Sequence, residues 1–318
     1  MSVHRARAIL QQTPPVLIIG FARPAKILKL IDEYVSTGIL VYIFIDKCES
    51  GHRNYAENLE TIALVNSLKV NSALKVKIAE SNLGVGAAVP EAINWVMQYE
   101  SRVVAVEDDC EIPAEYLSYF ENVLNIKSQD IVVVSAINPK IFSPKNSYDS
   151  DDITTSTFPL IWGWGVLKED WVVIRRFLYE PFKFGNLLTT IKRNPKNIPA
   201  VFFFYSSYLR VTAGLVNAWD STVALALLHD RTFAAIPNIS LVTNTGADSS
   251  AHNIVATPND LIVRYEIGMP SARIDPGQES RRLNDETIKN FIYGVKILNV
   301  LSPIKAMLEI YYWRKRSK

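Results

Sequence analysis

Apolar residues recur along the first 136 positions in short dense runs, separated by stretches where they return every three or four residues. The runs are VLIIG at 16–20, ILVYIFI at 39–45, LKVKIA at 74–79, VVAV at 103–106 and IVVVSA at 131–136. Several lack polar alternation and are β-branched, the pattern of strands covered on both faces. Between them PAKILKLIDEYVSTG, NYAENLETIALVNSLK, GVGAAVPEAINWVMQYE and PAEYLSYFENVLNI carry helical spacing. The first has Pro24 near its start and Gly38 past its end, the usual helix punctuation. Strand–helix units repeated in this way predict an α/β fold with a mostly parallel central sheet flanked by helices. In such sheets ligands bind outside the carboxyl ends of the strands.

The unusual polar residues of this half fall at that edge. After the successive strands come Ala22-Arg23-Pro24, Asp46-Lys47, Ser81-Asn82-Leu83-Gly84, Glu107-Asp108-Asp109 and Asn138. Turn residues are expected at any strand end, which suffices for Asn82 and Gly84. It does not suffice for three adjacent carboxylates, since one Asp would make the turn. Three negative charges ending a buried strand repel one another, and a hard divalent cation, which prefers oxygen ligands, relieves that repulsion.

Beyond Asn138 the pattern changes. KIFSPKNSYDSDDITTST is polar and predicts a long surface loop, and FPLIWGWGVLKEDW follows with two tryptophans around a glycine. AVFFFYSSYLRVTAGLVNAW and DSTVALALLHD predict packed helices, FAAIPNISLVTNTG a strand leading into a loop, and 259–284 irregular chain. The division expected is a tail over 1–14, a strand–helix half over 15–138, an elaborated second half of the same domain over 139–258, and an extension over 259–318.

Composition narrows the chemistry. The chain has 318 residues, 48% of them hydrophobic, enough for a substantial core. A net charge of +2 gives no support to nucleic-acid binding. Two cysteines, Cys48 and Cys110, with no CxxC, speak against a disulfide framework and fit a reducing compartment; both are expected as small buried fillers. The basic start lacks a long apolar stretch, so neither a signal peptide nor an N-terminal anchor is expected.

A strand ending in adjacent acids serves metal-bridged diphosphate binding, two-metal hydrolysis or nucleotidyl transfer. The first strand continues IIGFARPAK, with no glycine-rich cradle, and no Walker A pattern occurs. The four histidines, at 4, 52, 229 and 252, are too scattered to support a two-metal hydrolase. Diphosphate binding through a metal is left ahead.

VVAVEDDCEIPAEYLSYF resembles the metal-binding strand and following helix of the GT-A-fold (Rossmann-like) glycosyltransferases, most of all the N-acetylglucosaminyltransferase I family. PVLIIGFARPAKILKLID, YIFIDKC, FPLIWGWGVLKEDW, AWDSTVALAL and the Gly246…His252 loop are similar to further segments of that family, in its order, over roughly residues 15–253. The resemblance implies a metal-dependent, inverting glycosyltransferase with a UDP-sugar donor and a glycan or glycolipid acceptor. It places Arg23 and Asp46 on the donor nucleotide, and Glu107 and Asp108 against uridine, ribose or donor sugar. Asp109 is implied as the ligand of a Mn²⁺ or Mg²⁺ ion on the diphosphate. An inverting transfer needs one general base. Asp220 is the candidate, although the family's vertebrate members carry two acids after the tryptophan and this chain has Asp220 then Ser221.

Each assignment has a plainer competitor. Asp220 is equally suited to cap the helix TVALALLHD. His252 is either a second metal ligand or diphosphate contact, or a solvated loop histidine. Trp162 and Trp164 are either a sugar-stacking platform or core, and Trp219 either meets a sugar ring or desolvates Asp220. The C-terminal stretch from DETIKNF to RKRSK mixes apolar, aromatic and basic residues. It reads as a peripheral membrane helix or as a final helix docked on the domain. The expected setting is a bacterial cytoplasmic enzyme, peripheral on the inner membrane under the first of those readings. The alternatives are a non-catalytic carbohydrate-binding or scaffold protein on the same fold, kept open by Ser221, and then a sugar-phosphate nucleotidyltransferase.

Overall fold

The computed structural model describes residues 13–69, 71–141, 151–245, 270–275, 277–289 and 295–316. Strands β1 (Val16–Gly20), β2 (Val41–Ile45), β3 (Leu74–Ile78) and β4 (Arg102–Glu107) lie where the apolar runs predict them. After the two-residue β5 (Cys110–Glu111), β6 (Ile131–Ser135) does so too. Three strands were not anticipated: β5, β7 (Thr154–Ser156) and β8 (Trp164–Leu167). β9 (Phe233–Ile236) and the short β10 (Thr243–Asn244) fall within the segment read as a strand and loop.

The main sheet has eight strands in the order β3-β2-β1-β4-β8-β6-β9-β7. β1 pairs parallel with β2 and β4, β2 with β3, and β6 with β9. β8 runs antiparallel between β4 and β6, and β7 antiparallel on β9; the other strands point one way. Val16, Leu17, Ile18, Val103 and Val104 have no exposed surface, because helices cover both faces. Each such aliphatic side chain contributes roughly 1.5–3 kcal/mol by burial.

On one face α1 (Pro24–Ser36) buries Ile27, Leu30, Ile31 and Tyr34, with α2 (Tyr55–Ser67) beside it. The opposite face receives α3 (Val85–Val96) through Ala88, Val89, Ala92, Ile93 and Val96. α4 (Leu117–Ile126) returns to the first face through Leu117, Phe120 and Val123. β8 exists because Gly163, at φ +73, turns the chain so that Trp164 enters the sheet.

The later half adds α5 (Lys168–Ile174), α6 (Arg176–Tyr179), α7 (Phe184–Arg193), α8 (Ile198–Thr212), α9 (Asp220–Asp230), α10 (Gln278–Thr287) and α11 (Ser302–Arg316). Two expectations are corrected. The helix expected to reach Trp219 ends at Thr212, followed by Gly214 at φ +75. The stretch expected to be irregular to 284 contains α10 from Gln278, held to β7 by Asp285. Among the described residues no helix is long and apolar enough to cross a membrane.

From β1 the strand order runs outward through β2 to β3, and the chain then returns to β4 on the other side of β1. The carboxyl ends of β1 and β4 therefore flank a topological switch point, where open α/β sheets form their ligand crevice.

Candidate functional site

The two strand ends at that crevice are tied together by the acidic triplet. The Asp108 backbone N–H donates to the Ile19 carbonyl at 3.0 Å, and the Phe21 N–H donates to Asp108 Oδ2 at 3.0 Å. Arg23, at the start of α1, donates from Nη1 to Asp108 Oδ1 and to Asp109 Oδ2, the latter at 3.2 Å. Part of the positive charge that the triplet requires is thus supplied by the chain itself. Burial pushes the Asp108 carboxyl up from its ordinary value, opposed by Arg23 and the Phe21 N–H.

Among the described residues, Glu107 is the carboxyl of the triplet without a bonded cation. Burial, then the charges of Asp109, Asp108 and Asp220, push its pKa up to about 8, with Arg23 opposing. Asp220 comes from α9, yet it stands close enough to Glu107 for its charge to act there. Among the described residues Arg23 is the cation bonded to the triplet, through Asp108 and Asp109, while the charge of Asp220 is felt at Glu107.

Asp220 opens α9, with Trp219 in the cap position and no side-chain capping bond. Burial raises its pKa, opposed by its own and the Ser221 backbone N–H groups. Ser221 points elsewhere: it is buried, and its Oγ accepts from Ser207 Oγ at 2.8 Å on α8. Of the two neighbours, only Asp220 acts on the acidic cluster.

Asp46 is buried at the end of β2 with both carboxylate oxygens engaged. Leu83 N–H donates to Oδ1 at 2.9 Å and Gly84 N–H to Oδ2 at 2.8 Å, fixing the loop between β3 and α3. Burial raises its pKa and these amides oppose the rise. Gly84 has φ +68, and a Cβ there would overlap the Asn217 side chain. Asn217 Oδ1 in turn accepts from Gly86 N–H at 2.6 Å, joining that loop to the segment that leads into Asp220. Asn58, also buried, donates to the carbonyls of Phe21 at 2.6 Å and Asp46 at 2.8 Å, so it ties the ends of β1 and β2. Sequence reasoning passed over Asn58 and Asn217, since a lone Asn in a helix or turn carries no signal of its distant partner.

The tryptophans divide. Trp164 and Trp219 are each only 2% exposed, with ring centroids 5.5 Å apart, and Trp171 packs 6.1 Å from Trp164. The sugar-stacking role expected of Trp164 and Trp219 is corrected: their faces are spent on core packing. Trp162 is half-buried against the other core cluster. Cys48 and Cys110 are free and buried. His252 lies outside the described residues, but the chain leading toward it passes the site. β10 pairs antiparallel with β5, and Thr245 N–H donates to the Asp109 carbonyl at 2.8 Å.

Among the described residues no three His, Cys, Asp or Glu side chains form a cage for a metal ion. Glu107, Asp108 and Asp109 are oxygen donors, the type a hard cation takes, and two of them are bonded to Arg23.

No protein-family model matches the chain, and no curated protein matches it. Among solved structures, it is similar to a mannosyltransferase from Pyrobaculum calidifontis, determined with GDP-mannose and Mn²⁺. The identity is 14% and the TM-score 0.37, over 71% of this chain and 76% of that one. A putative glucose-1-phosphate thymidylyltransferase from Bacillus anthracis, in complex with a sucrose, is similar at 9% identity and TM-score 0.30, over 53% and 76%. Likenesses of this size assign no activity. The reading is narrowed accordingly: the chain has the helix-covered, mostly parallel sheet, and membership of the N-acetylglucosaminyltransferase I family is not established.

Proposed function

We propose that the chain is a metal-dependent, inverting glycosyltransferase of GT-A type, which moves a sugar from a UDP-sugar to a glycan or lipid-linked acceptor. The observation that carries this reading is the placing of Glu107, Asp108 and Asp109 at the carboxyl end of β4, bonded to Phe21 N–H and Arg23 at the switch point between β1 and β4. Asp109 would hold a Mn²⁺ or Mg²⁺ ion, and such an ion would offset the charge that develops on a diphosphate leaving group. Arg23 reaches the same place, and a guanidinium suits phosphate oxygens. Asp46 contributes by fixing the loop at 83–84, and Trp162 is the one of the three tryptophans with surface left for a ring.

In the transfer, the acceptor oxygen bonds to the anomeric carbon as the bond to the diphosphate breaks, and UDP leaves with the electron pair. The acceptor proton goes to a carboxylate oxygen of Asp220. A desolvated carboxylate with a raised pKa is a stronger base than a solvated one. Ser221, held by Ser207, has no part in this step.

One observation favours the second reading, a non-catalytic sugar-binding protein. Arg23 already pairs with Asp108 and Asp109, so two of the acids have an internal counter-ion. A panel of nucleotide sugars, screened with Mn²⁺ for protection against thermal unfolding and then for transfer or donor hydrolysis, separates the two. Protection by a UDP-sugar followed by turnover supports the transferase; protection without turnover on any acceptor supports the binding protein.

A further inference from the structure

Among the described residues, the last helix leaves a surface without a partner. α11 lies on α8 through the buried Pro303 and Ala306, and Arg210 Nε donates to Glu309 Oε2 at 2.7 Å. At about 100° per residue, Leu301, Ile304, Met307, Leu308, Tyr311 and Tyr312 share one arc of about 140° away from that seam. All six are exposed, Ile304, Tyr311 and Tyr312 at 60% and Leu308 at 53%. Lys305 and Arg314 flank the arc, and both are exposed. Leu298 and Val300 extend the apolar surface into the preceding turn.

Charge selects the occupant. Between 295 and 318 the sequence carries Lys296, Lys305, Arg314, Lys315, Arg316 and Lys318 against a single acid, Glu309. That acid is taken by Arg210 in the docking seam. A second copy of this face would therefore bring basic groups onto basic groups. An anionic lipid surface instead meets every feature: apolar side chains for the acyl boundary, tyrosines for the interface, and lysine and arginine for the headgroups. We infer that α11 is an interfacial helix that lays the protein on an anionic membrane. The inference stands apart from the transfer reaction, since it uses none of the site residues.

The test is co-sedimentation of the full chain with vesicles of pure phosphatidylcholine and of phosphatidylcholine mixed with phosphatidylglycerol. The chain is expected to pellet with the mixed vesicles, and less so as salt is raised. Ile304→Glu/Leu308→Glu is expected to weaken that binding by at least about tenfold. Lys305→Glu/Arg314→Glu is expected to abolish the preference for the anionic vesicles. Both pairs are exposed, so thermal transitions matching the parent's check the fold. Failure of the parent to pellet with mixed vesicles overturns the inference. So does undiminished binding by Ile304→Glu/Leu308→Glu, or a dimer, seen by sedimentation velocity, that this variant dissociates while vesicles bind neither form.

Discussion

Two buried acidic sites in this molecule meet opposite ends. Asp285 on α10 is surrounded by donors: Ser156 Oγ at 2.8 Å, Thr157 N–H at 2.7 Å and Thr157 Oγ1 at 2.7 Å all donate to its carboxylate. Burial still raises its pKa, with those donors opposing, but the site is closed and polar groups match polar groups. At the end of β4 the charge balance is different: among the described residues Glu107, Asp108 and Asp109 have Arg23 as their bonded cation, and the charge of Asp220 adds to theirs at Glu107. A buried carboxylate with its full set of donors is a structural clasp. A group of carboxylates that outnumbers its bonded cations is costly to keep, and such surplus is what functional sites retain. The same residue type reads as structure or as site according to the balance of donors and acceptors around it.

The comparison breaks most sharply at Asp109. Asp109→Ala is expected to lower transfer by roughly four orders of magnitude, the several kcal/mol that a Lewis acid supplies, while the thermal transition stays near the parent's. Steady-state transfer assays check it. Asp220→Asn is expected to cost about 10²–10³-fold in turnover, within the range of general bases, without changing UDP affinity. Ser221→Ala is expected to leave turnover intact and to lose about 1 kcal/mol of stability with the Ser207 contact. A turnover loss in the serine variant and none in the asparagine variant would reverse the assignment.

Asp285→Ala is the control from the closed site. It leaves Ser156 and Thr157 with unpaired buried donors and is expected to cost about 2–4 kcal/mol in denaturant unfolding, with UDP binding per folded molecule unchanged.

The smallest effect concerns His229, buried beside Phe177 and Phe182 with Nδ1 2.8 Å from Thr190 Oγ1. Burial lowers its pKa from 6.5, so between the lowered value and 6.5 the unfolded chain binds a proton that the folded chain does not. Stability should fall as pH drops through that window, by about 1.4 kcal/mol for each unit of lowering. His229→Gln is expected to flatten the dependence of unfolding free energy on pH there.

The parallel core was legible because β1, β2, β4 and β6 are rich in β-branched residues and covered on both faces, so no alternation masks them. The triplet was legible because Glu107, Asp108 and Asp109 adjoin one another at the end of such a strand. β8 was hidden since Trp162-Gly163-Trp164 reads equally well as surface platform or core, and only the positive φ of Gly163 decides it. Asp285 was hidden for a different reason. Its partners Thr157 and Ser156 lie 128 and 129 positions away, and nothing local in a polar helix announces them. The internal pairing of Arg23 with the acids is likewise a product of the β1–β4 adjacency, which the sheet order sets.

Calorimetric titration of UDP into the parent chain and into Asp109→Ala, each with and without Mn²⁺, tests the surplus of negative charge most directly. Binding in the parent that strengthens at least about tenfold with Mn²⁺, and no such gain in the variant, is the predicted result. UDP affinity that ignores Mn²⁺ in the parent, or a gain that survives in Asp109→Ala, would contradict it.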